Sequence, residues 1–197
     1  MIDLEEILKN LEIDEKDREN IRMLLPVIQN YGYEIIDEVV KVLSKDPEVV
    51  KILQEANLSV PAARDAWFYW LKTLFSSEFD KEFVRKLSHI GQVHVDANVK
   101  ESIVIQTTSL FLMKTLDKLL SLELDNFTEL SKSVIKLFSL SLVIMINSYR
   151  EELIDSFLEF TGLKEDLFNR EIKMQRKKRR EKRHLWYCSP LIMVNAR

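Results

Sequence analysis

The chain has 197 residues, 46% hydrophobic and 31% charged, with a formal net charge of −3. It is long enough to bury a full core, and 3 Gly and 4 Pro are too few for a strand-and-turn architecture, where those residues punctuate every hairpin. An all-α fold is expected. The charge gives no reason to expect nucleic acid as a specific partner, and the single cysteine, Cys188, has no internal partner. No secretory leader is legible at Met1-Ile2-Asp3-Leu4-Glu5-Glu6, so a cytoplasmic location is expected. The longest apolar run, Leu137 to Ile146, is interrupted by Ser139 and Ser141 and is too short to span a membrane.

In chain order, a short amphipathic helix over Leu4 to Leu11 precedes one from about Glu15 to Leu25, which Pro26 is expected to break. The next runs from Val27 to Ser44, with Ile28, Ile35, Ile36, Val39, Val40 and Leu43 at helical spacing. Asp46-Pro47 marks a turn into Glu48 to Ala56, and Ser59-Val60-Pro61 opens a helix to about Phe75. A helix capped by Asp80 follows, then long ones from about Lys100 to Leu122 and from Asn126 to Phe160, the last closed by Thr161-Gly162.

The helix after Asp80 carries the most informative pattern, Ile90-Gly91-Gln92-Val93-His94-Val95. Phe83, Leu87, Ile90 and His94 share one stripe, so the imidazole points inward. A histidine there is either a satisfied interior residue or a metal ligand such as the axial ligand of a haem iron. Gly91, on the same face, removes a side chain and permits a flat group to approach the backbone. Other chemistry is absent: there is no Gly-rich phosphate loop, zinc-spaced cysteine pair or activated nucleophile, and Asp37-Glu38 and Glu151-Glu152 read as solvated surface. The chain is therefore not expected to be an enzyme.

Ile-Gly-x-x-His-Val, preceded by the Asp80-x-x-Phe83-Val84 helix start, resembles the proximal-helix signature of globin-coupled sensors and protoglobins. Leu43-Ser44-Lys45-Asp46-Pro47-Glu48-Val49 and the stretch from Ser148-Tyr149-Arg150 to Phe160-Thr161-Gly162-Leu163 support the likeness, which covers roughly residues 10 to 170. After the histidine this chain reads Asp96-Ala97-Asn98-Val99 where the family usually has Arg-Ile-Gly-Val. The resemblance implies a globin-like sensor fold with an extra N-terminal helix, a haem b cofactor, His94 as its iron ligand, and His89 as an ordinary neighbour. Haem contacts are expected from Val40, Ala63, Trp67, Trp70, Phe83, Leu87, Ile90 and Gly91.

Many oxygen-binding members of that family place a hydrogen-bonding tyrosine seven residues before the Pro of the Leu-x-x-x-Pro turn, a position that Val40 occupies here. A valine offers contact and exclusion of water but no donor. Tyr33, two helical turns or about 10 Å earlier, is expected to be a packing residue. Trp67, Trp70 and Leu74 at i, i+3, i+7 read both as core and as an aromatic wall on the same side.

The family's last two helices form a four-helix dimer interface, and the stripe Leu130, Val134, Leu137, Ser141, Ile144 and Ser148 is expected to supply it, making a homodimer. Residues 1–169 are then a sensor globin domain and 170–197 a basic tail, with nine Lys or Arg against Glu171 and Glu181 between Arg170 and Arg183. In the family, that region continues into an output domain. None fits here, so a shortened or aberrant end is expected. The function implied is detection of a diatomic gas or of haem redox state; the alternative is a haem-free globin-fold module that binds a fatty-acid-like ligand or a protein.

Overall fold

The computed structural model describes residues 3–76 and 78–187, apart from the side chains of 181–187. Asp3 caps α1 (Leu4–Asn10), its carboxylate accepting from the Glu6 amide at 3.1 Å. At the next helix, α2 (Glu15–Leu43), Asp14 accepts from the Asp17 amide at 2.9 Å and Asp17 reaches back to the Asp14 amide at 3.1 Å, closing a capping box. Then come α3 (Pro47–Glu55), α4 (Val60–Ser76), α5 (Lys81–Asp96), α6 (Glu101–Ser121), α7 (Phe127–Thr161) and α8 (Glu165–Tyr187), with no strand among the described residues.

The expected break at Pro26 does not occur, and α2 runs through it. A proline there leaves the carbonyl four residues earlier without its amide, at a cost of about 3 kcal/mol. Ile21, Leu24, Ile28, Ile35, Ile36 and Val39 form an almost fully buried stripe that continues past the proline, and this burial outweighs the lost bond.

The chain divides into two compact units, Met1–Leu153 and Ile154–Arg197. In the first, α2 packs chiefly on α4 and α6. Its centre is aromatic: Trp70 meets Phe111 and Phe138 edge-on at 5.2 and 5.7 Å, and Phe138 meets Phe75 at 6.5 Å. A polar cluster ties α2 to α7. Ser133 donates to Asp17 at 2.7 Å and accepts from Asn20 at 2.9 Å, and Lys136 pairs with the other Asp17 oxygen at 2.7 Å. Burial pushes the Asp17 carboxyl up, but the bonds from Lys136, Ser133 and the Asp14 amide more than offset this and hold it below its usual 3.8.

The stripe expected to form a dimer interface is interior. Leu130, Val134, Leu137, Ser141, Ile144 and Ser148 are all buried within this one chain. The serines make room for neighbours in the same unit: Ser141 accepts from the Trp70 indole at 3.3 Å, and Ser148 donates to the Ser88 carbonyl at 2.8 Å. Phe138 and Met145, on the adjoining face, are buried too. A broad buried apolar face, with charges confined to the remaining side, suits a core helix. The exposed apolar groups of α6 and α7 instead include Met113 and Leu120 of α6 and Ile135 of α7.

The second unit holds the end of α7 and α8. Gly162, at φ +63, ends α7 in the left-handed region, and the Phe157 and Phe168 rings lie 5.8 Å apart. The basic segment is helical as far as Tyr187, beginning with Glu165 and Asp166, which suit a helix N-terminus, and continuing in good helix formers. Cys188 and the rest of the expected tail lie outside the described residues.

Candidate functional site

Asp80 starts α5 by accepting from the Phe83 amide at 2.8 Å, which fixes the rotational phase of everything after it. The inward face then splits into two stripes. Phe83, Leu87 and Gly91 are buried in the core, whereas Ile90, Val93, His94 and Ala97 line a cavity of about 280 Å³. Opposite them α4 contributes Ala63, Ala66, Trp67 and Trp70. Val104, Thr108 and Phe111 of α6 and Met145 of α7 complete the interior.

Gly91 serves a different purpose from the one its sequence context suggests. A Cβ there lies 2.5 Å from the Met145 carbonyl oxygen and 3.1 Å from the Tyr149 amide, so the missing side chain lets α5 approach the α7 backbone. It makes no room for a flat ligand. Phe83 and Leu87 likewise sit in the core without lining the cavity. Val40 lines an adjoining cavity, which shares Leu43, Val49, Leu53, Leu58, Ala63 and Trp67 with the first. Ala63, Trp67, Trp70, Ile90 and His94 come together around one space.

His94 has defined chemistry. Its Nδ1 lies 2.6 Å from the Ile90 carbonyl oxygen, and a carbonyl only accepts, so Nδ1 carries the proton. Burial pushes the imidazole below its usual 6.5, against the Ile90 carbonyl, which favours the charged form. Near neutral pH the ring is therefore neutral, with its lone pair on Nε2. This is the form in which histidine binds a metal, and the carbonyl bond holds the ring in place. Among the described residues there is no cluster of three or more His, Cys, Asp or Glu able to hold a metal ion, so a metal at His94 needs its remaining ligands from elsewhere.

Three features escaped the sequence reading. His89, an ordinary neighbour of His94 by its spacing, lines the same cavity and is exposed. Ile103, Val104, Thr107, Thr108 and Phe111 form a wall on α6, a helical stripe present in the sequence but unused. Val99 lines the cavity as well, and Tyr149 donates to its carbonyl at 2.9 Å, anchoring the turn between α5 and α6. Tyr33 is indeed a packing residue: its ring stacks on Phe68 at 4.3 Å, its hydroxyl donates to Asp65 at 2.9 Å, and it lines neither cavity.

No helix among the described residues is long and apolar enough to cross a membrane. No curated protein matches the sequence. The fold is similar to the globin domain of the Geobacter sulfurreducens globin-coupled sensor, with a TM-score of 0.70 at 22% identity, covering 76% of this chain and 99% of that one. The profile of the Protoglobin family matches residues 2–155, most of the chain and every residue that lines the cavity, and the chain belongs to that family.

Proposed function

We propose that the chain is a haem-binding sensor globin that responds to a diatomic gas or to haem redox state. The observation that carries this reading is the neutral His94 ring, its Nδ1 fixed on the Ile90 carbonyl and its side chain lining an apolar cavity. The residues fit the group. His94 would hold the iron through Nε2, and Trp67, Trp70, Ile90 and Phe111 would offer apolar and aromatic surface to a flat macrocycle. When bound, haem b would supply an iron able to take a diatomic gas reversibly.

The protein's part is positioning and transmission. His94 is held by its own helix, and that helix touches the α7 backbone at Gly91. A pull on the imidazole therefore acts on α5 at a contact with no compressible side chain in between, which suits a shift between two discrete packings. The chain acts as a homodimer through the exposed apolar groups Met113, Leu120 and Ile135, and it works in the cytoplasm without a catalytic site of its own.

The alternative, a haem-free module for a fatty-acid-like ligand, draws on the apolar lining of the same cavity, where His89 and His94 are the ionisable side chains among the described residues. Titration of the purified apoprotein with haemin separates the two. The haem reading expects saturation at one equivalent that depends on His94, and the alternative expects no saturable uptake.

A further inference from the structure

The cavity opens between two lips. Ala56, Leu58 and Ala66 are exposed on one side, and His89 and Val93 on the other. Among the described side chains lining it, His89 and His94 alone are ionisable, and Nδ1 of His94 is turned to its own helix. The cations nearest in sequence are engaged: Arg85 and Lys86 both pair with Glu82, at 2.7 and 3.8 Å, and Lys100 pairs with Glu48 at 2.6 Å. Among the described residues, His89 has no such partner. An imidazole presents an N–H donor in either protonation state, so this residue can bind an anion across a wide pH range.

We infer that His89 binds a carboxylate carried by the occupant of the cavity, fixing the polar edge of that molecule at the mouth. The inference builds on the proposed function for the identity of the occupant. For haem the carboxylate is a propionate, and for the alternative occupant it is the head of a fatty acid. The apolar body enters between α4 and α5, while the charged edge remains at the solvent boundary. There one hydrogen bond replaces hydration without the penalty of burying charge. His94 and His89 thus divide the work on one helix, the first holding the centre of the ligand and the second its rim.

The test loads wild type, His89→Ala and His89→Gln with haem b or with its dimethyl ester, and measures transfer to an excess of a scavenging apoglobin. Wild type is expected to release the free acid about fivefold more slowly than the diester, as suits a charged hydrogen bond at an exposed site. The ratio should fall to about one in His89→Ala and largely survive in His89→Gln, which keeps an N–H donor. An unchanged ferrous spectrum in each variant verifies that His94 is undisturbed. A ratio near one in wild type, or one unaffected by His89→Ala, overturns the inference.

Failure of all three proteins to take up haem refutes the proposed function instead. The same contrast then runs with dodecanoic acid and dodecanol, followed by intrinsic tryptophan fluorescence in a Trp186→Phe background, so that Trp67 and Trp70 report. A preference for the acid that His89→Ala abolishes sustains the carboxylate site. Equal binding of the two, or binding of neither, overturns it.

Discussion

Replacing Gly91 by alanine sets two well-known effects against each other. On helix propensity alone the change stabilises α5 by roughly 0.5–1 kcal/mol. The structure places the new Cβ 2.5 Å from the Met145 carbonyl oxygen, 3.1 Å from the Tyr149 amide and 3.2 Å from the Ser148 Cβ. The first two are backbone atoms of a core helix and cannot rotate away. To reach ordinary contact, α5 and α7 must separate by most of an ångström along a seam that also holds the Ser148–Ser88 bond. Overpacking of this kind costs about 1–3 kcal/mol, so the net expectation is a loss of about 1–2 kcal/mol. Urea unfolding of the apoprotein followed by circular dichroism measures it, with an unchanged m-value verifying that the transition is still the same one. Because the displaced helix carries His94, the haem-loaded variant should also show a shifted ferrous Soret band. An alanine variant as stable as wild type, or more stable, refutes the close approach of the two helices and the transmission route built on it.

Asp17→Asn should destabilise by about 2 kcal/mol at neutral pH, since it leaves Lys136 without its ion pair. The Asp17 carboxyl is held below 3.8 when folded, so its contribution is present above that pH and is lost as pH falls through the folded value. The difference between variant and wild type should shrink as pH falls below 3.8 and through the lowered folded value, and a difference independent of pH counts against the network. Ile135→Glu and Leu120→Glu, at exposed positions, should give a folded monomer in analytical ultracentrifugation where wild type sediments as a dimer at tens of micromolar. A wild type that is itself monomeric removes the dimer from the proposal. Val40→Tyr carries a hydroxyl into the space adjoining the cavity and should slow oxygen release by roughly tenfold in stopped-flow measurements, the worth of one charge-assisted hydrogen bond. An unchanged rate shows that this position does not face the gas.

Much of the fold was legible because periodicity and caps are local. Asp80, Asp46 with Pro47, and Ser59 mark helix starts where the structure has them. The inward turn of His94 also followed from spacing, and the motif around it led to the family. What failed depended on neighbours distant in sequence. Pro26 reads as a breaker until the buried stripe on either side of it is counted. The serines of α7 read as a seam for another chain, but Trp70 and Ser88 of the same unit fill the space they leave. Gly91 announced a close approach without saying to what, and the partner is the α7 backbone. His89 fell outside the apolar stripe and so carried no signal, since its significance comes from α3 and α4 forming the opposite lip.

The most direct test of the central claim is the visible absorption spectrum of the purified protein, ferrous with and without carbon monoxide, compared with that of His94→Ala. The wild type should take up one equivalent of haem and give the broad single visible band of five-coordinate, histidine-ligated iron, sharpening into the carbonmonoxy form. His94→Ala should lose that signature, while His89→Ala keeps it. Identical spectra for wild type and His94→Ala, or a wild type that takes up no haem, contradict the assignment of His94 and with it the haem-sensor reading.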